Sequence, residues 1–281
     1  MSVDNPVRGA LLVSSAALLF ATMGALIRLA SVELPNEQLV FFRNLFGLLV
    51  LAPLIWPRAR GIELKTSHPG LLLVRSLFGL AAMYCYFYAL GVLPLADAVL
   101  LNFTAPLFIP FVAMLWLGER VSPRIWAAII IGFSGVLFIL KPGSGLYNGA
   151  ALVGLASGAL AAVAMVSLRK LSATEPALRV VVYFGAIGTL VSAVPMLFTW
   201  RPVGLPVLGV LAAAGGCATI GQYLLSRGYG CAPAAQIAPF TYVSVVFAAL
   251  YGWLFWQELP GWTSAVGALL VAAAGVLAMR R

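Results

Sequence analysis

The chain has 281 residues, of which 63% are hydrophobic and only 9% charged, with a formal net charge of +9. A soluble domain carries roughly 25% charged residues, so this sequence cannot supply a water-facing surface, and a soluble enzyme or binding module is excluded. Nearly the whole chain resolves into ten apolar stretches, at 9–30, 37–56, 69–91, 96–117, 124–140, 149–168, 177–199, 206–228, 235–255 and 262–279. A helix needs roughly 20 residues to cross a hydrocarbon core of ~30 Å, and a spanning segment must satisfy its own backbone hydrogen bonds. The expected fold class is therefore an all-α integral membrane protein with ten transmembrane helices, forming a single membrane domain over 1–281.

The first stretch follows a short head with no small-residue cleavage signal and reads as a retained helix. The second carries Arg43 and the third Arg75, each about one turn inside the expected membrane boundary. A charge at mid-bilayer costs at least ~2.5–3.5 kcal/mol and should face protein or a water-filled cavity. For Arg75 the preferred reading is a side chain that snorkels to the headgroups. For Arg43, anchoring of helix ends and binding of a substrate carboxylate stand level. The fourth stretch carries Asn102, Phe103 and Thr104 beside two helix-weakening prolines, Pro106 and Pro110. Small residues mark close helix approaches in the sixth, Gly154–Gly158, and in the eighth, Ala212–Gly216. Gln222 follows in the eighth. The ninth holds Pro239, Phe240, Thr241, Tyr242 and Ser244.

With the N-terminus in the cytosol, twelve Lys and Arg residues fall on inside segments and three, Arg28, Lys141 and Arg201, on outside ones. This positive-inside bias places both termini in the cytosol, in a plasma (inner) membrane. The basicity is thus topological, and the lipid headgroups rather than nucleic acid are its partner. Cys85, Cys217 and Cys231 are isolated and His68 is the only histidine. No metal and no cofactor are expected.

The two halves read alike. Pro94 aligns with Pro233 and Glu119 with Glu258 at one offset, which also puts Phe103 on Tyr242, Phe108 on Phe247 and Tyr84 on Tyr223. Five spans is an odd number, so a second copy enters from the opposite face. The expectation is two inverted five-helix repeats, 9–140 and 149–279, with the substrate site near the midplane between them. The fourth and ninth spans are then mates, and both are interrupted by proline. Proline frees backbone carbonyls that a ligand or water can use. The candidate substrate-binding residues are accordingly Asn102, Gln222, Thr241 and Tyr242, with Met83, Tyr84, Phe103 and Phe240 as apolar and aromatic walls.

Several short motifs recur in order along these spans. They are Phe41-Phe42-Arg43, Gly118-Glu119-Arg120 with Ser122, Gly132 and Gly135, and the prolines Pro94 and Pro233. With them the chain resembles the ten-helix EamA-type branch of the drug/metabolite transporter superfamily over nearly its full length. The aromatic run Tyr84-Cys85-Tyr86-Phe87-Tyr88 further resembles bacterial exporters of aromatic and other amino acids. The resemblance implies export of small neutral or zwitterionic metabolites, amino acids above all, by alternating access. Cationic drugs or other metabolites are the alternative cargo, since aromatic walls suit a cation–π cage. A membrane-embedded transferase is the different class. It would need paired carboxylates, a His cluster or an activated nucleophile on a longer loop, and the sequence offers none. The expected partners are a small-molecule substrate and membrane lipids, with a monomer as the expected assembly. No Asp or Glu lies near the middle of a span, so transport without obligatory proton exchange is expected. Glu119 and Glu258 read as anchors of corresponding turns.

Overall fold

The computed structural model describes residues 6–55, 65–117, 123–140, 148–171, 174–229, 231, 238–259 and 261–279. Among them the chain is helical, with no strand. The helices are α1 (Pro6–Ala30), α2 (Asn36–Ile55), α3 (Pro69–Val92), α4 (Leu95–Asn102), α5 (Ala105–Leu117), α6 (Pro123–Leu140), α7 (Asn148–Leu171), α8 (Ala177–Phe198) and α9 (Leu205–Tyr229). A 3-10 turn (Ala238–Tyr242), α10 (Val243–Trp256) and α11 (Trp262–Met279) complete the order. Six segments are long and apolar enough to cross a membrane, and Trp126–Phe138, Phe240–Trp256 and Trp262–Ala274 are shorter apolar helices. The motif Gly118-Glu119-Arg120, Ser122 and Pro233 lie outside the described residues.

The fourth apolar stretch is broken into α4 and α5, and the break has a local cause. Pro106 has no N–H to offer the carbonyl four residues back, at Asn102, and α4 ends at Asn102. The turn is held by Phe103 N–H donating to the Val99 carbonyl at 3.0 Å and Leu107 N–H donating to the Thr104 carbonyl at 2.8 Å. Gly158 of α7 leaves room for it. A methyl group there would overlap Thr104 Oγ1 and come within 3.0 Å of the Leu101 carbonyl oxygen. The small residues of the sixth stretch thus seat a kink as well as a helix. The ninth stretch is irregular at the corresponding place, where the 3-10 turn leads into α10.

Packing pairs α1 with α9, α3 with α7, α6 with α11 and α2 with both α8 and α9, while α4 and α5 rest on α7 and α10 rests on α1. Glycine sets the tightest crossings. A Cβ on Gly215 would lie 2.8 Å from the Gly47 backbone nitrogen, and Thr219 Oγ1 donates to the Gly47 carbonyl at 3.1 Å, joining α2 to α9. A Cβ on Gly135 would lie 2.8 Å from the Gly267 carbonyl oxygen, between α6 and α11. The main core, with Ile27, Leu39, Leu90, Leu95, Val99 and Leu211 buried, fills the half of the bundle in which α1 and α3 end and α4 and α9 begin. The other half contains a cavity.

Candidate functional site

The cavity has a volume of about 240 Å³ and lies among α1, α3, α4, α7, α9 and the start of α10. That is just below the roughly 300–1,000 Å³ of pockets for drug-sized ligands, so a small metabolite is what it fits. α3 supplies one continuous face, Arg75, Gly79, Met83, Tyr86 and Phe87, at the three- and four-residue spacing of a helix. Opposite stand Asn102 and Phe103 at the break after α4, Gln222 on α9, and Thr241 and Ser244 at the interrupted ninth stretch. Phe20 and Met23 of α1 and Ala161 and Ala164 of α7 close the sides. A smaller chamber of about 90 Å³ adjoins it between α2, α3, α8 and α9, and Arg43, Arg75, Phe184 and Gln222 border both.

Five residues singled out by sequence, Asn102, Gln222, Thr241, Met83 and Phe103, line this cavity. Tyr84, Tyr242 and Phe240 are not in its lining. Tyr84 stands about 100° around α3 from Met83. Its carbonyl accepts a hydrogen bond from Asn36 Nδ2 at 2.9 Å, and its own hydroxyl is buried without a partner. Tyr242 packs against Phe103 in a tilted arrangement, its ring centroid 6.0 Å away and its plane inclined by 48°. Phe240 is 39% exposed. The aromatic neighbours that do face the cavity are Tyr86 and Phe87, and the spacing from Arg75 through Gly79 and Met83 was the signal that marks them.

Asn102 Nδ2 donates to Ser157 Oγ at 3.1 Å, and that hydroxyl donates in turn to the Gly154 carbonyl at 2.6 Å. Asn102 therefore ties the end of α4 to α7 as well as lining the cavity. Gln222 has no hydrogen-bond partner among the described residues, which leaves its amide to whatever occupies the cavity.

Arg75 departs from the sequence expectation. Helical side chains lean toward the N-terminus, and for Arg75 that direction leads back to the headgroups. Instead its guanidinium lies one turn forward, against Gly79 and over the Phe184 ring at 4.7 Å. A methyl group on Gly79 would overlap Arg75 Nη1 and come within 2.9 Å of Phe184. Snorkelling is replaced by a slot that glycine opens. Arg43 donates to Asn44 Oδ1 at 3.1 Å, and the Nε atoms of both arginines are buried without a partner. Among the described residues, no acidic side chain and no histidine borders either chamber.

The packed half is pinned by a second polar cluster. Glu258 accepts two hydrogen bonds from Arg28 of α1, that from Nη1 at 2.8 Å, and a third from the Leu95 N–H at the start of α4 at 3.1 Å. Arg28 also lies over the Trp256 ring at 4.8 Å. Gln257, in the left-handed region at φ 57°, ends α10 and turns Glu258 into this position. At the other end of the bundle Glu175 is nearly buried and joins the segment before α3 to α8. It accepts hydrogen bonds from Thr66 Oγ1, at 2.5 Å, and from Arg179, with His68 Nδ1 3.9 Å away. Those bonds, that of Thr66 foremost, hold its carboxyl below the ordinary Glu range.

A multi-pass helical membrane protein with a central, metabolite-sized cavity defines the class, that of a membrane transporter. The model of the EamA-like transporter family matches residues 7–141 and again 148–280, and the chain belongs to that family. It is 36% identical over 283 residues to the pseudopaline exporter CntI of Pseudomonas aeruginosa, covering 100% of this chain and 99% of that one. It is 27% identical to a riboflavin transporter of Vibrio cholerae, over 96% of this chain and 93% of that one. It is 25% identical to an S-adenosylmethionine uptake transporter of Rickettsia bellii, over 86% of this chain and 83% of the relative. A solved crystal structure superposes with a TM-score of 0.66 at 24% identity over 96% of each chain, a likeness of fold. The chain is thus a transporter of small metabolites and not an enzyme.

Proposed function

We propose that this transporter exports small metabolites carrying amino-acid groups by alternating access between two inverted five-helix halves, 9–140 and 149–279. In this reading ten helices cross the plasma membrane and both termini lie in the cytosol. The family model's match to each half in turn supports the duplication. So does the packing, because exchanging the halves converts α1 on α9 into α7 on α3 and leaves α6 on α11 unchanged. The cavity then opens toward the cytosol, where α1 and α3 begin, with the outer end closed by the core and the Arg28–Glu258 pair.

The observation that carries the reading is the convergence of Asn102, Gln222 and Thr241 on one cavity at the two proline-interrupted stretches. Cationic drugs fit less well, because Arg43 and Arg75 make the cavity electropositive. Among the described lining residues there is no carboxylate or histidine to take up a proton each cycle, and the cargo moves down its own gradient.

The test is efflux of a labelled amino-acid panel from proteoliposomes, comparing the wild type with Asn102→Ala and Gln222→Ala. Losing a substrate hydrogen bond should slow transport by about five- to tenfold at an unchanged folded, inserted level. Wild-type efflux in both variants would return these residues to helix packing alone.

A further inference from the structure

Resting on the export reading above, we infer that the cargo is an organic anion, with carboxylates in excess of its amino groups, seated on Arg43 and Arg75. Three observations carry this. Both arginines border both chambers, and among the described residues no Asp or Glu lines either. Arg75 is held forward into the bundle by the slot at Gly79 and backed by Phe184. Each guanidinium keeps a buried Nε donor without a partner, and the hydrogen bond Arg43 makes, to Asn44, is to a neutral amide.

Two cations facing one small cavity in a low-dielectric bundle repel each other and call for negative charge. A zwitterion brings as much positive charge as negative, so its ammonium group is repelled where its carboxylate is drawn. A net anion neutralises the pair, and guanidinium forks match carboxylates in geometry. The apolar remainder of such a cargo has Met23, Met83, Phe87 and Phe103 to rest on.

The charge also supplies a driving force. A membrane potential of 100 mV, negative inside, favours an outward position by about fiftyfold for each net negative charge. Export of an anion therefore needs no proton or sodium site, consistent with described lining residues that include no carboxylate and no histidine.

The test loads proteoliposomes with a whole small-metabolite extract of bacterial cells and identifies by mass spectrometry the species that leave faster than from protein-free vesicles. The expected species are carboxylates of net negative charge. Their exit should be accelerated by an inside-negative potassium–valinomycin potential and slowed about tenfold or more in Arg43→Gln and in Arg75→Gln. Gly79→Ala keeps both charges but displaces the Arg75 guanidinium, and should show the same selective loss even if the glutamine variants fail to fold. Exit of zwitterions or cations instead of anions, indifference to potential, or undiminished anion exit from Gly79→Ala and the double glutamine variant would overturn the anionic assignment and leave the export reading standing. If no species leaves faster than from protein-free vesicles, the export reading itself fails and this inference with it.

Discussion

Replacing Glu258 with Gln keeps the side-chain shape and an acceptor for the Leu95 N–H, but removes the charge that holds Arg28. The two side chains are 13% and 25% exposed, between the surface pairs worth about 0–1 kcal/mol and the buried ones that cost about 3–5 kcal/mol to break. About 2 kcal/mol is the value this exposure supports. The pair spans α1, α4 and the end of α10, so in the proposed alternating-access cycle it belongs to the state in which the outer end is closed. Losing about 2 kcal/mol from that state shifts its population about thirtyfold toward an outward-open one. The assay is labelling of Ala98→Cys by an impermeant maleimide in a background lacking Cys85, Cys217 and Cys231. Ala98 is fully buried in α4, one turn beyond Leu95. Labelling should rise by up to that factor in Glu258→Gln and in Arg28→Gln, and the double variant should add little to either. Equal labelling of wild type and variants, or fully additive effects, would show that the Arg28–Glu258 pair does not hold the outer end closed.

Gly158→Ala should destabilise the protein by about 1–3 kcal/mol, because the methyl group meets Thr104 and the Leu101 carbonyl at the α4–α5 break; detergent-solubilised melting curves measure it. Glu175 has a lowered pKa in the folded state, so its contribution is complete above the ordinary Glu value of about 4.3 and is lost as pH falls through the lower, folded value. The melting temperature should therefore decline on the acid side of about pH 4, and less steeply in Glu175→Gln than in the wild type. Impermeant labelling of single cysteines in 57–68 and 169–176 should occur only from the cytosolic side.

Much of this fold is written in the sequence because a bilayer makes length and apolarity nearly sufficient. Among the described residues, helices follow eight of the predicted stretches to within a few residues; the ninth, 235–255, is a regular helix only from Val243, and the fourth breaks after Asn102 because of Pro106, four residues on. The site was less legible. Periodicity along α3 separates Tyr86 from Tyr84, but an unbroken aromatic run from Tyr84 to Tyr88 hides which face matters until Arg75 and Gly79 are counted with it. The forward reach of Arg75 defies the usual lean of helical side chains, and only the space at Gly79 and the ring of Phe184 explain it. The pairing of Arg28 with Glu258 joins residues 230 positions apart, a distance no local pattern bridges. The sequence reading made Glu258 a turn anchor; its observed partners are Arg28 of α1 and the Leu95 N–H of α4.

In the proposed transport cycle, cargo passes through the cavity between α3, α4, α7 and α9. Ala161 lines that cavity, whereas Leu190 on α8 is 71% exposed on the outer face of the bundle. Each is replaced by Cys in the background lacking native cysteines, and efflux of the exported metabolites from proteoliposomes is measured before and after stoichiometric reaction with a bulky, permeant maleimide. Passage through the cavity predicts that efflux through Ala161→Cys falls to the protein-free level while Leu190→Cys is unaffected. Undiminished efflux through fully modified Ala161→Cys would contradict it.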